Sequence, residues 1–188
     1  AKDVIGANLR QIPMPPAVIQ RMLEKISAAL DTRHIEVMEY TLPTVGGSKD
    51  FEARMVACAP DEVVAIVRNI TERNRAQQAL HRWAHIFEHA EWGVAIGSAD
   101  GRTLELMNPA YARMHGYTVE ELSQMPIASV FAPGTADELS LLIQAANEAG
   151  HAVIESRHIR KDGTIFPVVV DLTAVKDDAG RVLYRVAN

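Results

Sequence analysis

Chemistry in this sequence would have to come from seven histidines, one cysteine and the aromatic and cationic side chains near them. His81, His85 and His89 stand at i, i+4 and i+8 of a stretch without Gly or Pro. Neighbouring pairs at that spacing could chelate a transition metal or titrate near neutral pH. Leu80, Trp83, Ala84, Phe87 and Ala90 fall on the other face of the same helix, so a solvated polar stripe accounts for the pattern and no metal is expected. His158 and Arg160 alternate with Ile154 and Ser156 on one face of a strand, while Val153, Glu155, Arg157 and Ile159 share the other. Both faces are mixed, so alternation does not choose the inward one. A buried Arg157 or His158 would need a partner and could read an anionic ligand. Cys58 is expected to be a buried structural residue. No phosphate loop, nucleophile elbow or paired-carboxylate motif is present, so no catalytic residues are assigned and an enzyme is not expected.

The 188 residues allow one large domain or two small ones, and 48% hydrophobic content is enough for a core. A net charge of -5 without a Lys/Arg run argues against nucleic acid. A lone cysteine fits a reducing, cytoplasmic setting, and no apolar run is long enough to span a membrane.

The elements that must position these residues occur twice. Val63-Val64-Ala65-Ile66-Val67-Arg68-Asn69 parallels Val182-Leu183-Tyr184-Arg185-Val186-Ala187-Asn188, and His34-Ile35-Glu36-Val37 parallels His151-Ala152-Val153-Ile154. Gly46-Gly47 meets Asp162-Gly163, and Phe51 meets Phe166. Each copy reads as a helix, 15–30 or 135–150, followed by three strands. The strands are placed at 35–41, 51–57 and 63–68 in the first copy and at 152–160, 165–175 and 181–187 in the second. Thr135 with Glu138, and Thr118 with Glu121, have the spacing of capping boxes. The second copy adds a hairpin around Asp100-Gly101, then a helix with Asn108 as N-cap and Pro109 at its first position. Its order is β-β-α-α-α-β-β-β. An amphipathic helix over 71–90 joins the copies.

Three local patterns in the second copy together resemble the PAS (sensory-box) family: Asn108-Pro109-Ala110-Tyr111, Gly116-Tyr117-Thr118-Val119-Glu120-Glu121-Leu122 and Arg160-Lys161-Asp162-Gly163-Thr164. In the first copy Asn69-Ile70-Thr71-Glu72-Arg73 resembles the family's Asp-Ile-Thr-Glu-Arg exit into a signalling helix, with Asn69 in place of Asp. The resemblance implies an α+β fold, a five-stranded antiparallel sheet with helices on one face. It also implies a small cavity between sheet and helices. The expected layout is the C-terminal part of a first PAS domain at 1–68, a linker helix at 69–90 and a second PAS domain at 91–188.

The resemblance further implies a sensory or dimerisation module upstream of a histidine kinase or diguanylate cyclase. The effector domain is expected in the same native polypeptide, since the chain ends at Asn188, the counterpart of Asn69. A homodimer and an unknown small-molecule ligand are the expected partners. Tyr111, His115, Trp92, Arg157 and His158 are the candidate ligand contacts, and Asn69, Ile70, Thr71, Glu72, Leu80, Trp83 and Phe87 the candidate signal linker. His115 could equally be a helix-end histidine favoured by the helix dipole. Flavin–thiol chemistry is excluded in the second copy, which has no cysteine. Haem is not expected, because neither helix before the last three strands carries a histidine; an unusual ligand such as His115 or His158 is the remaining route. The rival reading is a ligand-free interaction module whose cavity is filled by Phe131, Phe166 and Leu142.

Overall fold

The computed structural model describes residues 8–188, so residues 1–7 of the expected 1–68 segment lie outside it. The chain divides into two compact units, Ala1–His81 and Arg82–Asn188, with the boundary inside a helix.

In the first unit α1 (Pro16–Thr32) precedes β1 (Glu36–Thr44), β2 (Gly47–Ala57) and β3 (Val63–Asn69). Pro16 opens α1, where a missing N–H costs nothing. The helix runs beyond the expected residue 30 and closes on Arg33 in a left-handed conformation (φ 60°). The strands form an antiparallel meander in the order β1-β2-β3. Val18 and Met22 of α1 close over Met38, Tyr40, Ala53 and Met55, a core rich in unbranched, adaptable side chains. Cys58 is a correction: it falls just past β2, where alternation no longer directs side chains inward, and it is exposed.

A helix, α2 (Thr71–His89), follows β3 after Ile70. Asn69 Oδ1 accepts from the Thr71 backbone N–H at 3.0 Å and from its hydroxyl at 2.7 Å, so the amide, one residue ahead of the N-cap position, satisfies the first N–H of α2. Asp50 supplies the neighbouring carboxylate: its N–H donates to Thr71 Oγ1 at 2.9 Å, and Asn74 Nδ2 donates to its Oδ2 at 3.4 Å. Ile70 and Thr71 are buried at this junction and Glu72 is exposed. Further along, Leu80 and Trp83 are exposed and Phe87 is half-buried. His81, His85 and His89 are exposed, with the last two rings stacked 4.1 Å apart.

The second unit runs β4 (Ala95–Gly97), β5 (Leu104–Met107), α3 (Pro109–His115), α4 (Val119–Leu122), α5 (Ala136–Ala149), β6 (His151–Ile159), β7 (Ile165–Lys176) and β8 (Val182–Ala187). This is the expected order, and the strands form a five-stranded antiparallel sheet, β5-β4-β8-β7-β6. Leu142 and Ala146 of α5 pack on Val170, Leu172 and Ala174 of β7. A second cluster joins Ala95, Leu104 and Met107 to Tyr111, Leu122 and Phe131.

The two Thr-x-x-Glu sequences behave differently. Thr118 and Glu121 form a full capping box. Thr135 does not cap α5: its backbone is not extended, its hydroxyl donates to the Ala132 carbonyl at 2.7 Å, and Glu138 accepts from Ser156 Oγ at 2.6 Å. Burial of Thr135 and the pull of a β6 partner on Glu138 override the local signal. Among the described residues no helix is long and apolar enough to cross a membrane.

Candidate ligand cavity

Asn108 fixes the entry to the site. It is fully buried, and its Oδ1 accepts from Tyr111 N–H and Val94 N–H, each at 2.9 Å, while Nδ2 donates to the Trp92 carbonyl at 2.9 Å. One amide therefore caps α3 and ties it to the segment leading into β4. The far end of α3 is held from the β6–β7 turn. Lys161 N–H donates to the His115 carbonyl at 2.9 Å, and Arg160 Nε donates to the Met114 carbonyl at 3.0 Å. Gly93 is required where the chain passes α3, because a Cβ there would stand 3.2 Å from the Tyr111 Cα.

Between α3, α5 and the inner face of the sheet lies a cavity of about 350 Å³. Its wall is mostly apolar, with Phe131, Leu139, Leu142, Ile143, Val170 and Leu172 contributing. That volume is at the small end of ligand sites. Of the expected contacts, Trp92, Tyr111, His115 and His158 are brought together on this wall. Trp92 remains 61% exposed, at the rim. Arg157 is not brought in: β6 turns His158 inward, so its neighbour points to the opposite face and is exposed. Cross-strand pairing of His158 with Phe166 fixes that choice, which alternation left open.

His115 and His158 form a buried imidazole pair. His115 Nδ1 lies 2.8 Å from the Tyr111 carbonyl, and its Nε2 lies 2.9 Å from His158 Nδ1. Tyr111, Phe131 and Phe166 surround the two rings, and Arg160 stacks its guanidinium 4.3 Å from the Phe166 centroid. Burial pushes His115 below the usual imidazole range, with Arg160 adding to the effect and the Tyr111 carbonyl opposing it. Burial, then the neighbouring His115, lowers His158 to about 4. Burial also raises the Tyr111 phenol. Both imidazoles are thus neutral at pH 7. Among the described residues His158 Nε2 is the buried side-chain nitrogen without a hydrogen-bond partner.

Sequence reasoning missed Arg185 in the wall. It is buried, donating from Nη1 to the Ser98 and Ala99 carbonyls at 3.0 and 2.9 Å and from Nε and Nη2 to Asn147 Oδ1. In the repeat it stands opposite Ile66, an apolar residue that does not announce a buried guanidinium. No cluster of three or more metal-ligating side chains occurs among the described residues.

The five-stranded antiparallel sheet with its covering helices defines the class of fold, and comparison with known proteins agrees. A family model for the PAS domain matches residues 93–187, just over half of the chain. The chain belongs to the PAS domain family. The sensor histidine kinase TmoS of Ectopseudomonas mendocina is 25% identical over 132 residues, covering 64% of this chain and 14% of the kinase. The chain thus spans about one-seventh of that relative. The PAS domain of a Colwellia psychrerythraea protein superimposes with a TM-score of 0.54 at 18% identity, over 58% of this chain and 92% of that one. The PAS domain of an HTR-like protein from Haloarcula marismortui gives 0.52 at 19%, over 62% and 93%.

Proposed function

We propose that residues 91–188 are the sensing part of a signalling protein and bind a small, largely apolar molecule in the cavity between α3, α5 and the sheet. The observation that carries this is the partly enclosed, mostly apolar cavity furnished with one orphan imidazole nitrogen. A merely structural core would fill the space and satisfy the nitrogen. In this reading residues 1–68 are the C-terminal part of a first PAS domain and 69–90 the linker that carries the signal. Binding shifts the linker by favouring one of two helix arrangements. The output is of the histidine kinase type, as the similarity to TmoS suggests, with a diguanylate cyclase as the rival. This segment itself performs no catalytic step, works in the cytoplasm and requires neither flavin–thiol chemistry nor haem.

The test is a native mass spectrum of the purified chain, followed by a thermal-shift screen of small aromatic and aliphatic molecules. Added mass, or a rise in the melting temperature of the second unit, is expected. A bare mass with no stabilising compound would reject a ligand role. A stable dimer in that case would favour the interaction module, a reading supported by the exposed Leu80 and Trp83 of α2.

A further inference from the structure

The hydrogen bonds around His115 and His158 have a direction, and the direction says what the ligand must carry. A backbone carbonyl only accepts, so His115 Nδ1, 2.8 Å from the Tyr111 carbonyl, bears the proton. A neutral His115 then presents a bare lone pair at Nε2. His158 Nδ1, 2.9 Å away, must donate to it. A neutral His158 with its proton on Nδ1 has a bare lone pair at Nε2. That nitrogen belongs to a cavity-lining side chain that is 5% exposed, and it has no partner. The groups facing the pair are the Tyr111 carbonyl from α3, the rings of Tyr111, Phe131 and Phe166, and the Arg160 guanidinium from the end of β6. None of them is an anion that would hold a second proton on either ring.

We infer that the Tyr111 carbonyl, His115 and His158 form a proton-ordered relay that makes His158 Nε2 a fixed acceptor, selecting a small, mostly apolar ligand that bears one hydroxyl or N–H donor. The inference rests on the proposed sensing role of the cavity. An aliphatic wall discriminates poorly among molecules of one size, whereas a buried acceptor left unpaired disfavours the isostere that lacks the donor. The relay also excludes acceptor-only groups, such as ethers, from this position. The cavity, about 350 Å³, suits a molecule with a single ring or a short chain.

The experiment uses the full chain and two isosteric probes, 4-methylphenol and 1,4-dimethylbenzene. Long-range nitrogen–proton correlation on histidine-labelled protein at pH 7.5 is expected to show both imidazoles with the proton on Nδ1. A proton on His158 Nε2 would overturn the relay, and this reading needs no variant. Calorimetric titration is then expected to give roughly ten-fold or greater preference for the phenol, with the His158 Nε2 resonance moving only on addition of the phenol. His158→Phe should erase the preference while keeping the ring's bulk. Equal affinity for both probes, or a preference that survives in His158→Phe, overturns the donor requirement and leaves the cavity as a binding site. Failure of both probes to bind at millimolar concentration counts against the sensing role itself, and the inference falls with it.

Discussion

The two units build the same arrangement, a helix laid over an antiparallel three-strand meander, and reach different interiors. Even the ring pairs correspond: Tyr40 faces Phe51 across β1 and β2, as His158 faces Phe166 across β6 and β7. In the first unit Met38, Ala53 and Met55 are at most 3% exposed beneath α1, and flexible methionines take up irregular space. In the second, β4 and α3 extend the wall, and a helix and sheet joined from three sides leave room that Val170, Leu172 and Leu142 line without filling. One helix over a meander gives a closed core; a second helix standing off the same sheet opens a chamber. The polar residue at the shared position follows suit, a phenol against a closed core and an imidazole against a cavity.

The largest expected break in the correspondence is with pH. His158 titrates at about 4 in the folded protein and near 6.5 when unfolded. Above pH 6.5 neither state binds the proton. As pH falls from 6.5 to 4 the unfolded chain takes it up and the folded one does not, so stability is lost across that window, by at most about 3 kcal/mol. His115, also lowered by burial, adds loss of the same sign. The carboxylates that are held low, exposed Asp162 and half-buried Asp177 among them, lose their contribution at more acid pH. Urea melts followed by the amide exchange of β7 should show the window. His158→Phe should flatten most of it, and β2, whose unit has no buried imidazole among its described residues, should not track it. Equal pH dependence in the two strands would refute the assignment.

A matched pair of alanines sharpens the same contrast. Ala53 on β2 and Ala95 on β4 are each 1% exposed, one inside a closed core and one on the cavity wall. Ala53→Leu should destabilise its unit by about 1–3 kcal/mol through overpacking. Ala95→Leu has space to enter and should cost less than about 1 kcal/mol, while weakening binding of any cavity ligand. Local amide exchange reads the first effect and calorimetry the second. Similar costs at the two sites would mean that the chamber does not yield to side chains.

The sequence made the frame legible through short-range chemistry. Asn108-Pro109 places the start of α3, Gly150 ends α5, and turn residues at Asp162-Gly163 divide β6 from β7, because caps and turns depend on a few neighbours. The site was half legible. Tyr111 and His115 follow from the end of a recognisable helix. The inward turn of His158 did not, since β6 alternates polar residues on both faces and only pairing with β7 decides between them. Arg185 was hidden for a similar reason. Its burial is tolerated because Asn147 and two carbonyls, distant in sequence, receive its guanidinium.

The two Thr-x-x-Glu sequences extend that lesson at the smallest scale. Thr118→Ala removes a working capping box and should cost about 1 kcal/mol, with faster exchange confined to the first turn of α4. Thr118→Ser should restore most of it, since Ser caps as well as Thr. Glu121 also pairs with Lys161, so Glu121→Gln separates the two roles: the amide can still accept from the Thr118 N–H, and what is lost is a solvent-screened surface ion pair, a smaller effect than loss of the cap. Glu138→Ala should leave the first turn of α5 unchanged, because no cap is made there, and should loosen β6 at Ser156. Exchange in β6 rising while the start of α5 stays still is the expected pattern. The reverse would mean that Glu138 caps α5 in solution, and that its bond to the strand is the weaker of the two.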